Sequence, residues 1–340
     1  MSAREHSPDP GAVRMQLLEV LGGFLRTQAV HTVARLGVAD LVGEEPVRVE
    51  ELAARVDADP SALHRVMRLV ASLGIFSEAQ PGAFVATPLS DGLREDHPAS
   101  VRYMAMWQGS PTYLAAGEML RAVQTGEPVA DAVFGMPLFE HLAVDPEASD
   151  IFNRAMAGGA AGRAAAALGY DWSGVSVVAD IGGGNGSLLT AVLNAHAHLR
   201  GVVFDLPHVV ADAQRLIEET SLSDRCETAA GDFFTDALPR ADVYVLAQIL
   251  HDWDDERAVA ILRNCRRSIV DDGRLLVVEQ VLPEGDKPSY GKLLDLIMLL
   301  MLGGKERTES EWPALLREGG FELVGITPGP HTSLMEAATA

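Results

Sequence analysis

The stretch that decides the fold is Val177-Val178-Ala179-Asp180-Ile181-Gly182-Gly183-Gly184-Asn185-Gly186-Ser187-Leu188-Leu189. Apolar residues, two of them β-branched, run into an acid, a cluster of glycines and a second apolar run, which predicts a strand, a tight turn and a helix. The glycines at 182, 184 and 186 permit positive φ and let the backbone approach a ligand closely. The stretch therefore predicts a βα unit with a binding turn.

The spacing D-x-G-x-G-x-G differs from the dinucleotide fingerprint G-x-G-x-x-G, because the third glycine is Gly186 and position 187 is Ser. A pyrophosphate site needs a helix N-terminus that is free for anionic phosphates. Asp180 at the strand end instead suits a ligand with a cationic or amino group. An S-adenosylmethionine (SAM) site is therefore favoured over an NAD site, which leaves an NAD-dependent oxidoreductase as the disfavoured enzyme alternative.

Composition restricts the partners and the compartment. The net charge of −21 repels nucleic acid and anionic lipid, so we expect neither as a partner. Cys226 and Cys265 are the only cysteines, and they imply neither a disulfide framework nor a structural zinc site, as in a reducing cytoplasm. Residues 1–10 are polar and lack the core of a signal peptide, so we expect a disordered tail and a soluble cytoplasmic protein.

The pattern of residues 11–95 predicts a helical N-terminal domain. Apolar positions in 13–44 recur with helical periodicity and wrap more than one face, which supports a homodimer interface, with packing within the chain as the alternative. Residues 48–90 then predict two helices and a hairpin around Gln80-Pro81-Gly82, the outline of a winged helix. A ligand-responsive DNA-binding regulator is the alternative from another class, but the acidic balance favours a dimerisation or substrate-lid domain.

Residues 96–170 predict a helical linker region that contributes to a substrate pocket. Long apolar side chains that suit planar ligands are concentrated there. They are Met104, Met106, Trp107, Tyr113, Phe134, Phe139, Phe152 and Met156. Most will be ordinary core, and a subset could line the pocket.

Residues 171–340 alternate between strands and helices, which predicts an α/β, Rossmann-like, doubly wound and mainly parallel sheet of seven strands. The predicted strands are 177–181, 202–205, 227–230, 243–246, 274–279, 322–326 and 331–337. Ligand sites in such sheets lie at the carboxyl ends of the strands. Asp205 at the second strand end can accept both hydroxyls of a ribose, and after the third strand Asp232 can accept an adenine amino group while Phe233 offers an apolar wall.

The fourth strand leads into Gln248-Ile249-Leu250-His251-Asp252-Trp253. Imidazole is the side chain best suited to remove a proton from a hydroxyl near neutral pH. Glu279 ends the fifth strand and Glu306 follows Gly303-Gly304-Lys305, so a carboxylate can orient His251 as a general base. Neither a serine nucleophile motif nor a metal-ligand spacing competes, and we expect no metal.

This combination of motifs resembles the class I SAM-dependent O-methyltransferases of small molecules over nearly the whole chain. The matching stretches are 180–186, Phe204-Asp205-Leu206-Pro207, Gly231-Asp232-Phe233-Phe234, Leu250-His251-Asp252-Trp253, Glu279 and Gly303-Gly304-Lys305-Glu306-Arg307-Thr308. The group includes plant caffeate-type enzymes, hydroxyindole O-methyltransferase and bacterial enzymes that tailor antibiotics and polyketides. The resemblance implies a homodimer with intertwined N-terminal helices, and a winged-helix-like dimerisation domain.

By this resemblance His251 is the catalytic base, flanked by Glu279 and Glu306. The residues expected at SAM or its product S-adenosylhomocysteine are Asp180, Gly182, Gly184, Gly186, Asp205, Leu206, Asp232, Phe233 and Gln248. Ala247 replaces a lysine usual in plant members and Leu302 replaces a proline, which favours the bacterial tailoring branch. The expected reaction is methyl transfer to a phenolic or enolic hydroxyl of an aromatic or polyketide-like acceptor in secondary metabolism, and SAM-assisted hydroxylation or decarboxylation is the alternative.

Overall fold

The structure, a computed structural model, describes residues 9–330 and 332–340. Residues 1–8 of the predicted tail lie outside the described residues, and so does His331, where the last predicted strand begins. The chain divides into two compact units, Met1–Leu114 with Asp145–Gly158, and Ala115–Val144 with Gly159–Ala340. The predicted linker region 96–170 is therefore shared between the two units.

The chain up to residue 168 is mainly helical. Its first elements are α1 (Pro10–Leu21), α2 (Gly23–Arg35), β1 (Val47–Arg48), α3 (Val49–Arg55), α4 (Pro60–Ser72), β2 (Phe76–Gln80), β3 (Ala83–Ala86), α5 (Pro88–Asp91), α6 (Arg102–Gly109) and α7 (Pro111–Gly117). They are followed by α8 (Met119–Thr125), α9 (Ala130–Phe134), α10 (Leu138–Val144), α11 (Pro146–Ala157) and α12 (Ala160–Leu168). Helix α11 belongs to the first unit, and helices α8 to α10 and α12 belong to the second.

The first unit contains the predicted winged helix. Asp59 caps α4 by accepting the Ala62 N–H at 2.8 Å, and the apolar residues Leu63, Met67 and Val70 bury one face of that helix. The three short strands pair antiparallel in the order β1-β3-β2, with Gly82 at φ 75° in the hairpin turn. Of the aromatic residues singled out in the sequence, Trp107 is buried here and packs edge-on against Phe152 at 4.9 Å.

The second unit contains the predicted seven-stranded sheet. Its further elements are β4 (Val177–Ile181), α13 (Ser187–Ala195), β5 (Arg200–Asp205), α14 (Val210–Glu219), β6 (Cys226–Ala230), β7 (Val243–Ala247), α15 (Asp255–Ser268), β8 (Arg274–Glu279), β9 (Val281–Leu282), α16 (Tyr290–Met301), β10 (Arg307–Thr308), α17 (Trp312–Glu318), β11 (Phe321–Thr327) and β12 (Ser333–Thr339). The strand order is β11-β12-β8-β7-β4-β5-β6, and only β12 runs antiparallel to the other six strands. The predicted doubly wound, mainly parallel sheet is confirmed.

This topology positions the site. The central strands are apolar on both faces and are covered by two hydrophobic clusters, as in a parallel sheet between helices. Strand order reverses at β4, which pairs with β5 on one side and with β7 on the other. The crevice for a ligand in such a fold lies at this switch point, beyond the carboxyl ends of the strands.

A third sheet consists of two parallel strands, β9 and β10, and pairs Arg307 with Val281 and Thr308 with Leu282. The sequence pattern did not predict it, because two residues are too few for a periodic signal. The pairing brings the segment after α16 beside the end of β8. Within residues 9–330 and 332–340, no helix has the length and apolar character needed to cross a membrane.

Candidate functional site

The glycine turn after β4 has the open backbone that the sequence predicts. Gly182, Gly184 and Gly186 have φ values of 72°, 57° and 77°. A Cβ on Gly182 would lie 2.5 Å from the Ile249 Cδ1 atom, so a side chain there would strain the backbone and displace the Ile249 side chain. At Gly184 a Cβ would meet no atom within 4 Å, so the turn presents open backbone at this residue.

Asp205, at the end of β5, is tied to this turn. Its Oδ2 accepts the Gly184 N–H at 2.8 Å, and its Oδ1 accepts the Leu206 N–H at 2.7 Å. Burial raises the pKa of Asp205, while these two hydrogen bonds lower it. Each carboxylate oxygen keeps a lone pair for a further donor, as recognition of two neighbouring hydroxyls requires.

Asp180 is a buried acid with one carboxylate oxygen that lacks a hydrogen-bond donor. It is 2% exposed, and its Oδ2 has no hydrogen-bond partner. Burial and the neighbouring Asp205 raise the pKa of Asp180 to about 7, although Arg163 lowers it. A buried acceptor without a donor is costly, so this oxygen fits a ligand that donates hydrogen bonds.

Arg163 of α12 is a site residue that the sequence reasoning missed. Its Nη1 donates to Gln248 Oε1 at 2.7 Å, and burial lowers the pKa of Arg163 while Asp180 and Glu279 raise it. Gln248 itself has φ 56°, a strained conformation for a residue with a side chain. The only indication in the sequence was a single arginine in the alanine-rich run 160–168, which precedes strand β4.

Asp232 and Phe233 follow β6. Asp232 is half-buried, and its Oδ1 accepts the Phe234 N–H at 2.8 Å. The Phe233 ring packs edge-on against Phe234 at 4.9 Å, and its Cε1 lies 3.6 Å from the position of a Cβ on Gly182. Phe233 therefore forms an apolar wall beside the glycine turn, and Asp232 stands next to it.

His251 lies in a single 3₁₀ turn after β7 and is surrounded by acids. Its Nδ1 is 2.6 Å from Glu306 Oε1 and 3.6 Å from Glu279 Oε2. Its Nε2 is 3.4 Å from Asp252 Oδ1, a neighbour to which the sequence reasoning gave no role. The structure thus brings the three predicted catalytic residues together, with His251 only 7% exposed.

Glu279 fixes the main chain that carries His251. Its Oε1 accepts the N–H groups of Ile249 and Leu250 at 3.0 Å and that of His251 at 3.4 Å. Its Oε2 has no hydrogen-bond partner and faces the imidazole. Burial raises the pKa of Glu279, and the nearby His251 lowers it.

The acids also decide the charge of the imidazole. Burial alone would lower the pKa of His251, but Glu279, Asp252 and Glu306 together raise it to about 10. Burial likewise raises the pKa of Asp252 to about 6, and His251 lowers it. The acids therefore favour the imidazolium form of His251, whose Nδ1 lies at hydrogen-bond distance from Glu306 Oε1.

The same three residues offer one nitrogen and two carboxylate oxygens within 4.8 Å of one another, and in the part of the chain that the structure describes no other group of this kind occurs. Ligand atoms of a tetrahedral zinc site lie about 3.3 Å apart, given metal–ligand distances near 2.0 Å. The 2.6 Å separation of His251 Nδ1 and Glu306 Oε1 is instead a hydrogen-bond distance. The arrangement as it stands suits a proton between the two groups better than a metal ion.

Two known protein families match the chain. Residues 117–322 match the O-methyltransferase domain family, and residues 18–96 match the O-methyltransferase dimerisation domain family. The two matches cover both units of the chain. The first includes every residue that the sequence analysis assigned to catalysis or to the cofactor.

Curated relatives match over almost their whole length. Phenazine O-methyltransferase PhzM of Lysobacter antibioticus is 45% identical, over 96% of this chain and 97% of its own. The mitomycin biosynthesis 6-O-methyltransferase of Streptomyces lavendulae is 37% identical, over 96% of each chain. Aclacinomycin 10-hydroxylase RdmB of Streptomyces purpurascens is 34% identical, over 94% of this chain and 87% of its own.

Solved structures of O-methyltransferases resemble the fold of this chain. The crystal structure of LaPhzM has a TM-score of 0.90 and 44% identity, over 96% of this chain and 99% of its own. The O-methyltransferase NcsB1 from neocarzinostatin biosynthesis, solved with SAM and 2-hydroxy-5-methyl naphthoic acid, has a TM-score of 0.79 and 34% identity, over 93% of this chain and 96% of its own. The chain therefore belongs to the O-methyltransferase family that joins a dimerisation domain to a SAM-binding domain, and it is a SAM-dependent O-methyltransferase.

Proposed function

We propose that this enzyme methylates a phenolic or enolic hydroxyl of a planar aromatic or polyketide-like acceptor in bacterial secondary metabolism, with His251 as general base and without a metal. The observation that carries the proposal is the 2.6 Å contact between His251 Nδ1 and Glu306 Oε1. His251 follows two residues after Ile249, whose side chain lies against the glycine turn at Gly182. We further propose that the enzyme acts in the cytoplasm, which the two buried free cysteines support.

The residues around the glycine turn fit SAM. The orphaned Asp180 Oδ2 is an acceptor for an ammonium group, and the nearby Arg163 is a cation for a carboxylate. We assign Asp205 to the ribose hydroxyls, and Asp232 and Phe233 to the adenine. When bound, SAM supplies an electrophilic methyl group to the acceptor oxygen.

His251 then has to receive the hydroxyl proton on Nε2. Glu306 accepts the Nδ1–H and so keeps that proton on Nδ1 when the imidazole is neutral, which leaves the Nε2 lone pair available. Glu306 and Glu279 stabilise the imidazolium that the transfer produces. Because the pKa of His251 is raised to about 10, the population of its neutral form still increases with pH above neutrality.

The acceptor needs an apolar surface on the second unit. Helix α16 exposes Leu293 and Leu296, and α8, which packs on α16, exposes Leu120. Helix α16 is tied to the base, since Asp295 Oδ1 accepts the Glu306 N–H at 2.9 Å. We propose that aromatic rings of the acceptor contact this surface, and the phenazine and naphthoate relatives support a fused planar ring system.

We expect His251→Ala to reduce turnover of hydroxyphenazines or hydroxynaphthoates by about two to four orders of magnitude, because general base catalysis is lost. Affinity for SAM should stay nearly unchanged, because His251 is not assigned to the cofactor. Turnover is measured by mass spectrometry of the methylated product. The control is His198→Ala, which replaces an exposed histidine beside the amino end of β5 and should retain full turnover. Near-normal turnover of His251→Ala would contradict the assignment of His251 as the base.

Asp205→Ala should weaken SAM binding about ten- to a hundredfold, since hydrogen bonds to a charged group are worth roughly 1.5–3 kcal/mol. Calorimetry with SAM measures the dissociation constant. Asp212→Ala on α14 is the matched control, because Asp212 is half-exposed and pairs only with the surface Arg215 among the described contacts. An unchanged dissociation constant for Asp205→Ala would refute the ribose assignment.

Glu306→Gln should alter the pH profile of turnover. Loss of this carboxylate lowers the pKa of His251, so the limb on which activity rises with pH moves to lower pH. Maximal turnover should fall about ten- to a hundredfold, because the imidazolium loses a charge-assisted hydrogen bond. The control Glu309→Gln replaces an exposed glutamate on the same segment and should reproduce the wild-type pH profile. If the rising limb of the Glu306→Gln profile lies at unchanged or higher pH, the proposal is contradicted.

We also propose a homodimer that buries α1. None of the residues of α1 is buried, although Leu17, Leu18, Val20 and Leu21 are exposed apolar residues. Such a face requires a partner surface, and the match to the dimerisation domain family supports a second copy of the chain.

Light scattering of the wild-type enzyme should give twice the chain mass of 36.3 kDa. Leu17→Glu should shift the enzyme toward monomer, because it places a charge in the apolar face of α1. Gln80→Glu, at an exposed hairpin position, introduces the same charge and should leave the dimer intact. A monomeric wild-type enzyme would exclude this role of α1.

A further inference from the structure

A buried arginine contacts the main chain on both sides of His251. Arg307 is 1% exposed and begins β10, where it pairs with Val281. Its Nη1 donates to the Leu250 carbonyl and its Nη2 donates to the Trp253 carbonyl, both at 3.1 Å. The guanidinium therefore bridges the turn that carries His251.

The remaining donors of Arg307 also have acceptors. Nε and Nη2 donate to Asp255 Oδ1 at 3.0 and 2.8 Å, and Nη1 also donates to the Lys305 carbonyl at 3.4 Å. All five N–H donors are thus used, and the charge is paired with Asp255 and lies 5.7 Å from the centre of the Trp312 ring. No donor is left for a substrate, so Arg307 acts only through the segment that it holds.

The neighbours of Arg307 hold the same segment by different means. Glu306 binds the imidazole side chain at 2.6 Å, whereas Arg307 binds the main-chain carbonyls on either side of it. The backbone at Gly304 lies directly on the turn, because a Cβ there would be 2.1 Å from the His251 carbonyl oxygen. Residues 304–307 therefore form a surface against which residues 250–253 pack.

We infer that Arg307 is a positioning residue for methyl transfer, which fixes the orientation of His251 through the Leu250 and Trp253 carbonyls. The inference rests on the proposed role of His251 as base. Misplacement of a catalytic group by about 1 Å can cost about a hundredfold in rate. Lysine retains the positive charge but lacks the planar fork that reaches two carbonyls and a carboxylate together.

The experiment compares Arg307→Lys, His251→Ala and the double variant in the full-length enzyme. Turnover is measured with a hydroxyphenazine and with 1,4-dihydroxy-2-naphthoic acid, SAM affinity by calorimetry and folding by thermal melting. Arg225→Lys is the matched control, since Arg225 donates to the carbonyls of Leu193, His196 and Leu199 at the opposite end of the sheet. We expect kcat of Arg307→Lys to fall about ten- to a hundredfold, with SAM affinity and the kcat of Arg225→Lys within about twofold of wild type.

The double variant separates positioning from general stability. If Arg307 acts through His251, Arg307→Lys costs nothing further in the His251→Ala background, because the group that it positions is gone. An equal loss in both backgrounds, or wild-type kcat of Arg307→Lys, overturns the inference while the role of His251 stands. Near-normal turnover of His251→Ala alone overturns the proposed function, and the inference with it.

A measurement without acceptor covers the case in which neither probe is methylated or Arg307→Lys folds poorly. The imidazole NMR signal of His251, identified by its loss in His251→Ala, is titrated with pH in the S-adenosylhomocysteine complex. Arg307→Lys, or the milder Asp255→Asn that removes the paired carboxylate, should shift this signal and its titration, whereas Arg225→Lys should not. An unchanged signal in both Arg307→Lys and Asp255→Asn overturns the inference.

Discussion

The carboxylate of Glu279, buried at the end of a central strand, is the constraint on which the site depends. Burial of an ion costs several kcal/mol unless charges and hydrogen bonds compensate for it. Here one oxygen accepts three successive main-chain N–H groups and the other faces an imidazolium. The segment after β7 therefore cannot move away from β8 without leaving Glu279 unpaired, and the position of His251 follows from that requirement.

The acids around His251 impose two opposing effects on a base. They raise its pKa to about 10, so that the neutral imidazole is the minor form at neutral pH. They also make the neutral form a strong proton acceptor, since the imidazolium that it becomes is stabilised by paired carboxylates. The rate of proton transfer depends on the product of these two factors. A high pKa is therefore compatible with the proposed role of His251 as base, and under that proposal turnover is expected to rise with pH.

The sequence predicted the parts of the site that depend on topology. Parallel strands place their carboxyl ends at one edge, so Asp205, His251 and Glu279 could be assigned to a common crevice from their positions after strands. Strand limits agreed within two residues, because the apolar runs of a parallel sheet are continuous and end at polar residues. The winged helix could also be predicted, since Pro60 marks the start of a helix and Gly82 marks the hairpin turn.

Features that depend on packing could not be predicted. The contact of Arg163 with Gln248 requires the rotation of α12 about its axis, which an alanine-rich sequence does not encode. The positive φ of Gln248 has no signal in a residue type that rarely adopts it. Arg307 was part of a quoted motif, but its role depends on β10, whose two residues pair with a strand far away in sequence.

Fold and cofactor pocket alone do not determine the reaction, since a relative named as a hydroxylase aligns with 94% of this chain. Methyl transfer to oxygen additionally needs a proton acceptor whose lone pair is fixed. In this chain the proposed acceptor is His251 in the segment 250–253, which Glu279, Glu306 and Arg307 contact through its N–H groups, its imidazole and its carbonyls, respectively. Under the proposed mechanism, the glycine turn contributes to the cofactor site, and the packing of residues 304–307 on this segment holds the proposed base in position for methyl transfer.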